Sequence, residues 1–236
     1  MQCSIKHLHK AYGNKIVLDN LSLDLPENEI VGLVGKNASG KTTLMQILAS
    51  ALEYDAGQVT FNGEDMINNL FSYREKLGYV PQNIALFDEL TVKENLISWS
   101  KHSYPTTLEL IDPLVKRLNL EAVLHQKVSR LSGGMQRLVN FAVSLLTEAS
   151  FYILDEPFVG IDIENMRVVE KEILTMAKNG ASILISSHEI EQLLRLADRI
   201  IILAGGKIVY DQAKQDFIQE AKDVGVHHLL NDYMKG

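Results

Sequence analysis

The sequence is short of cysteine, of positive charge and of long apolar runs, and each shortage removes a class of protein. One cysteine, Cys3, in 236 residues permits no internal disulfide. The lack of Cys pairs at ligand spacing removes zinc-finger, ribbon and iron–sulfur readings, so no structural metal is expected and a reducing compartment fits. No stretch approaches the ~20 apolar residues needed to cross a bilayer, and the polar start MQCSIKHLHK lacks the apolar region of a secretory signal. The expectation is a cytoplasmic protein. Lys and Arg number 23 against 30 Asp and Glu, a net charge of −7, so nucleic acid is not expected as the main partner. Internal repeats, heptad runs and low-complexity segments are also missing, which argues against solenoids and long coiled coils. A chain of this length can nevertheless bury a sizeable core without disulfides.

Short apolar runs are present in quantity. Ile30 to Val34, Phe151 to Leu154, Ser182 to Ile185 and Ile200 to Leu203 read as buried parallel strands. Ile16 to Leu25 and Gln58 to Phe61 read as more exposed strand material, and Gly205-Gly206 turns the chain into Lys207 to Tyr210. Asn165 to Ala177 and Glu189 to Leu196 have helical spacing. Strands separated by helices predict an α/β fold with a mostly parallel sheet. Residues 83–146 differ, carrying helix candidates Val92 to Trp99, Leu108 to Leu118 and Gly134 to Leu146, with a kink or break expected at Pro113. The expected plan is one domain over 1–236, with a core of 1–82 and 147–220, an inserted helical subdomain of 83–146, and a short C-terminal helix or frayed tail over 217–236.

The chemistry starts at Gly35-Lys36-Asn37-Ala38-Ser39-Gly40-Lys41-Thr42, a full G-x-x-x-x-G-K-[ST] string between an apolar strand and a helix. Its glycines let successive N–H groups face a phosphate, and the helix N-terminus adds its positive end. Lys41 is expected to reach the β- and γ-phosphates and the Thr42 hydroxyl to hold Mg²⁺. The strand Phe151 to Leu154 ends in Asp155-Glu156, which can place one carboxylate near the metal and another beside a water. Alone, such a pair marks any strand reaching the surface.

Leu131-Ser132-Gly133-Gly134-Met135-Gln136 just upstream of that strand resembles the signature motif of the ATP-binding subunits of ABC transporters. The resemblance covers about residues 3 to 220. It implies a P-loop NTPase (RecA-like) core with an antiparallel β portion, and an ATPase that uses ATP and Mg²⁺. Tyr12 resembles the aromatic that stacks on adenine, and Gly35 to Thr42 with Thr43 form the phosphate-binding set. Gln82, after Tyr79-Val80-Pro81, resembles the glutamine that joins core to lobe and senses metal and water. Thr42, Gln82 and Asp155 are the implied metal set, and Glu156 the catalytic glutamate. His188, in Ser186-Ser187-His188-Glu189, resembles the switch histidine that contacts the γ-phosphate. Two such chains, or this chain and a second ATP-binding subunit, would enclose ATP, with Ser132, Gly133 and Gly134 facing the nucleotide held by Lys41 of the other chain. Asp162, in Phe158-Val159-Gly160-Ile161-Asp162, is carried over with the segment that borders that interface.

Transport would then run through separate transmembrane permease subunits, with this chain peripheral on the cytoplasmic face. Asn83 to Asn95 and the Ser-Ser-His string resemble the exporter-like branch of the family rather than importers. Phe87, Leu90, Trp99 and Tyr104 are candidates for a groove receiving a helix of the permease, although aromatic residues serve cores well and Trp99 is expected in the core of the lobe. The rival readings are an importer, a soluble ABC-type ATPase acting on ribosomes or DNA, and a nucleotide-binding scaffold in which Glu156 is idle. Nothing in the sequence selects the transported substrate.

Overall fold

The computed structural model describes residues 2–235. It begins with a hairpin of β1 (Cys3–Tyr12) and β2 (Lys15–Leu25), followed by β3 (Ile30–Val34), α1 (Lys41–Leu48), β4 (Ala56–Phe61), β5 (Glu64–Asp65), α2 (Leu70–Glu75) and β6 (Leu77–Val80). Three helices come next: α3 (Val92–Trp99), α4 (Tyr104–Arg117) and α5 (Gly133–Leu145). The chain then returns through β7 (Phe151–Leu154), α6 (Ile163–Lys178), β8 (Ser182–Ser187), α7 (Ile190–Leu196), β9 (Arg199–Ala204) and β10 (Lys207–Ala213), and closes with α8 (Lys214–Glu220) and α9 (Val226–Tyr233).

Two sheets result. The larger has the order β10-β9-β3-β8-β7-β6, parallel throughout except where β10 runs against β9. The smaller, β2-β1-β4-β5, is antiparallel. The α/β class with a mostly parallel sheet, an antiparallel β portion and a helical insertion is therefore the fold this chain forms. The central strands read as continuous apolar runs because both faces are covered. Successive side chains alternate between two cores: Ile30 and Val34 of β3, Ile183 and Ile185 of β8, and Ile200 and Ile202 of β9 pack with the helices of the insertion side. Val31, Leu33, Leu184, Ile201 and Leu203 pack instead with α1 and the antiparallel sheet. Each buried aliphatic contributes roughly 1.5–3 kcal/mol, so β3, which leads into the glycine loop, is fixed from both sides.

Four details depart from the sequence reading. Helix α4 runs through Pro113 without breaking. Pro113 faces solvent, where water can satisfy the carbonyl it frees, while Ile111, Leu114 and Val115 hold the opposite face in the core. Trp99 is not a core residue: it is 42% exposed and stacks on Phe87, centroids 5.6 Å apart. It is the last residue of α3, beyond the buried Val92, Asn95 and Leu96, and meets a surface loop rather than another helix. Strand β1 was not expected at all, since His7 at φ 51° and the register shift beside it throw Leu8 out of phase with Cys3 and Ile5. The C-terminal stretch holds two short helices rather than one frayed helix. The break falls at Gly225, φ 86°, and both helices are anchored, Phe217 being fully buried against Tyr210 and Leu230 also buried.

Candidate functional site

The phosphate loop follows β3 because the backbone can turn tightly there. A Cβ on Gly35 would stand 2.4 Å from the Leu203 carbonyl oxygen, and one on Gly40, at φ 109°, 2.9 Å from that of Val17, so only glycine fits. Ala38 also takes a left-handed backbone, φ 63°. Gly40 is the N-cap of α1, which aims the first free N–H groups of the helix into the loop. Lys41 Nζ donates to the Gly35 carbonyl at 2.7 Å. Burial lowers its pKa, while the charges of Glu156 and Asp155 act in the opposite direction.

A cavity of about 540 Å³ opens over this loop, lined by Asn37 to Thr43 together with Gln82, Glu156, Tyr12, Lys15 and Val17. Tyr12 is half exposed at its rim. The strand bearing it is braced by Asp55, which accepts from Lys10 Nζ at 2.9 Å and from the Ala11 amide at 2.7 Å. Lys10 Nζ lies 5.6 Å from the Tyr12 ring centroid. Gly35 and Lys36 do not line this cavity. With Asn37 and His188 they border a second one of about 460 Å³, whose far wall is α9, and Lys36 Nζ donates to the Met234 carbonyl there.

Three oxygen-bearing groups converge beside Lys41. Thr42 Oγ1 donates to Gln82 Oε1 at 3.1 Å. Asp155, fully buried, accepts from Ser186 Oγ at 2.7 Å through Oδ1, whereas its Oδ2 is buried with no hydrogen-bond partner among the described residues. Burial raises the Asp155 pKa, opposed first by the Ser186 and Thr42 hydroxyls. An orphaned carboxylate oxygen among hard oxygen donors fits Mg²⁺. The same Ser186 hydroxyl accepts from the Glu156 amide at 2.9 Å, fixing Glu156 at φ 51°. Glu156 Oε2 in turn lies 2.9 Å from His188 Nδ1 and accepts from the His188 amide at 3.3 Å. The ends of β3, β7 and β8 thus bring Lys41, Asp155, Glu156 and His188 to one edge of the sheet, as expected where parallel strands deliver ligand sites.

The remaining expected residues lie elsewhere. Ser132 is the N-cap of α5, accepting from the Met135 amide, and with Gly133 and Gly134 it lies outside the cavity of its own chain. The backbone at Gly134 is packed against residue 160: a Cβ there would fall 2.3 Å from the Gly160 oxygen. Both oxygens of Asp162 are used within the chain, accepting from the Asn165 amide and from Asn165 Nδ2 as the cap of α6. Lys15, Val17 and Ser186 were missed as site residues. So was Arg137, which donates to the Pro81 and Gln82 carbonyls. Ser186 stood beside the flagged histidine, but the others acquire meaning only through the fold.

Residues 18–159 match the family described as ABC transporter. The chain belongs to the ABC transporter family. This ABC subunit is 34% identical over 209 residues to an uncharacterized ABC transporter ATP-binding protein of Methanocaldococcus jannaschii, covering 87% of this chain and 75% of the relative. It is 32% identical over 217 residues to the Nod factor export ATP-binding protein I of Burkholderia orbicola, covering 91% and 71%. A solved ATP-binding subunit of an ABC transporter superposes with a TM-score of 0.89 at 25% identity over 99% of both chains. The core is thus a RecA-like P-loop NTPase with an inserted helical subdomain, and the ABC subunit is an ATP-binding and ATP-hydrolysing motor whose relatives include export proteins. Among the described residues no helix is long and apolar enough to cross a membrane.

Proposed function

We propose that the ABC subunit pairs with a second ATP-binding chain, a copy of itself or a relative, beneath a separate transmembrane permease, and that ATP-driven closure and hydrolysis power export. Lys41 and the loop amides hold the β- and γ-phosphates, and Tyr12 supports the base. Thr42, Gln82 and Asp155 would hold Mg²⁺, which when bound neutralises phosphate charge. Glu156 takes up the proton of the attacking water, and His188 fixes the Glu156 carboxylate while its ring stays available to the γ-phosphate. Activated water and electrostatic clamping are sufficient for phosphoryl transfer, with no covalent intermediate.

The observation that carries this reading is the Glu156–His188 contact of 2.9 Å, made beside a cavity lined by Lys41 and Gln82. A carboxylate and an imidazole held together there can orient a water and stabilise the charge that develops. Export is favoured by the Nod factor export relative, and the half-exposed pair Phe87 and Trp99 offers the lobe's apolar contact to a permease on the cytoplasmic face. The test is purification of Glu156→Gln with Mg-ATP from detergent-solubilised membranes of its own cell, followed by mass spectrometry of what accompanies it. A polytopic protein in fixed ratio is the expected result. Recovery with ribosomal or DNA-bound material and no membrane protein would overturn it.

A further inference from the structure

Helix α5 carries, beyond its N-terminal turn, three buried polar side chains that the ATP site does not account for, of which Ser144 bonds back to the Phe141 carbonyl of its own helix. Arg137 is 8% exposed and Asn140 3% exposed, and at a spacing of three residues they share one face of the helix. Both grip the same short segment. An Arg137 terminal nitrogen donates to the carbonyls of Pro81, at 3.1 Å, and of Gln82, and the Asn140 side-chain oxygen accepts from the Ala85 amide at 3.1 Å. Three backbone groups of residues 81–85 are therefore held by α5. The side chain at the start of that segment, Gln82, meets the Thr42 hydroxyl in the nucleotide cavity.

The N-terminus of α5 is the Ser132–Gly134 turn, in backbone contact with Gly160. From Gly133 to Arg137 is four residues, about 6 Å of helix, so turn and clamp belong to one rigid element. The buried Leu138, Val139, Phe141 and Ala142 of α5 pack into the core, and a well-packed element shifts as a unit rather than deforming. Arg137 also places its charge near Asp155 and Glu156. A buried guanidinium is an expensive way to fill space, since apolar residues of similar volume serve as well or better. Its Nε has no partner among the described residues, where the bonds to residues 81 and 82 are what the group does.

We propose that Arg137 and Asn140 form a clamp that couples the Ser132–Gly134 turn to Gln82, so that engagement of the turn by a partner chain's nucleotide sets the position of Gln82 in this chain's own site. This rests on the paired arrangement proposed above. Both are positioning residues: neither touches nucleotide, and both act through the backbone of 81–85. By linkage the effect is reciprocal, nucleotide beside Gln82 changing the turn's affinity for its partner by the same factor.

The test compares the full chain with Arg137→Met, Arg137→Lys and Asn140→Ala, in ATPase titrations and in amide hydrogen exchange with and without Mg-ATP. Arg137→Met is expected to lower kcat about tenfold or more, as loss of outer-sphere support for a metal site does, with KM for ATP little changed and the Hill coefficient falling toward unity. Arg137→Lys, which keeps the charge and one donor, should recover part of kcat. In the parent, Mg-ATP should slow exchange at residues 81–86 and 131–136 together. In Arg137→Met and in Asn140→Ala, protection at one segment should no longer be accompanied by protection at the other. Folded variants with the parent's kcat and Hill coefficient, or with protection of both segments intact, would overturn the clamp. Should Arg137→Met fail to fold, exchange in Arg137→Lys and Asn140→Ala decides the same question. A parent chain with no ATPase activity would instead strike the proposed roles of Glu156 and His188, which the exchange measurement does not use.

Discussion

Replacing Ser186 by alanine strikes both carboxylates of the site through one atom. The Ser186 hydroxyl donates to Asp155 Oδ1 at 2.7 Å and accepts from the Glu156 amide at 2.9 Å, all within the buried end of β8. The substitution leaves a buried N–H unpaired, at about 1–3 kcal/mol, and removes a hydrogen bond to a charged group worth about 1.5–3 kcal/mol. The two losses share one site and do not simply add, so a destabilisation of about 3 kcal/mol is expected. For a chain of this size each kcal/mol moves Tm by about 2–4 °C, giving a fall of roughly 6–12 °C. Asp155 Oδ2 already has no partner among the described residues, so the carboxylate also becomes harder to ionise, and turnover should fall further than stability alone explains. Ser187→Ala is the control, because that hydroxyl serves Gln192 and the Glu189 amide instead; it should lower Tm while sparing more of kcat. Thermal melts and ATPase rates of the two proteins decide the matter. A Ser186→Ala protein that melts within a degree or so of its parent and turns over normally would show that the Ser186 bridge does not hold the two acids.

Lys41→Ala should weaken ATP binding as well as hydrolysis, whereas Glu156→Gln should keep ATP and accumulate as the closed pair; calorimetry and size-exclusion chromatography with Mg-ATP separate the two outcomes. Gly134→Ala places a Cβ 2.3 Å from the Gly160 oxygen, so it should abolish nucleotide-driven pairing while single chains still bind ATP, and equal pairing in both proteins would contradict that. Asp55→Ala should raise KM for ATP with kcat nearly unchanged, since Asp55 braces the strand before Tyr12. Its pKa is held below the usual value first by the Ala11 amide and then by Lys10. That contribution is present above the unfolded carboxylate pKa of about 3.9 and is lost as pH falls through the lower folded value. The Tm difference between parent and Asp55→Ala should accordingly close below about pH 4, and a difference that persists unchanged in acid would refute the bracing role.

The central strands could be read directly because β3, β7, β8 and β9 are covered on both faces, and burial on both faces writes an unbroken apolar run into the sequence. The phosphate loop was equally legible, since its glycines, lysine and threonine act through local backbone geometry. What escaped depended on distant parts of the chain. Strand β1 was hidden by the irregularity at His7, and the second C-terminal helix by the break at Gly225. Pro113 misled because a proline on the solvent face of a docked helix costs less than one facing the core. Trp99 misled because aromatic area can be covered by a neighbouring loop ring as well as by a core. Arg137, Asn140 and Lys15 had no signal at all: an arginine in a helix reads as a surface residue until the fold shows which carbonyls it holds.

The backbone at Glu156 has a consequence for the molecule as a whole. A left-handed conformation at a non-glycine residue costs roughly 1–2 kcal/mol, and here it falls on the carboxylate that lies 2.9 Å from His188 Nδ1. Glycine would adopt φ 51° without that penalty. The backbone would therefore rest more easily without its acid, and, on the role proposed for Glu156, a screen that rewarded heat resistance alone would drift toward an inert protein. On the role proposed for Glu156, the glutamate is kept for its work on water, and the backbone strain is what placing it there costs.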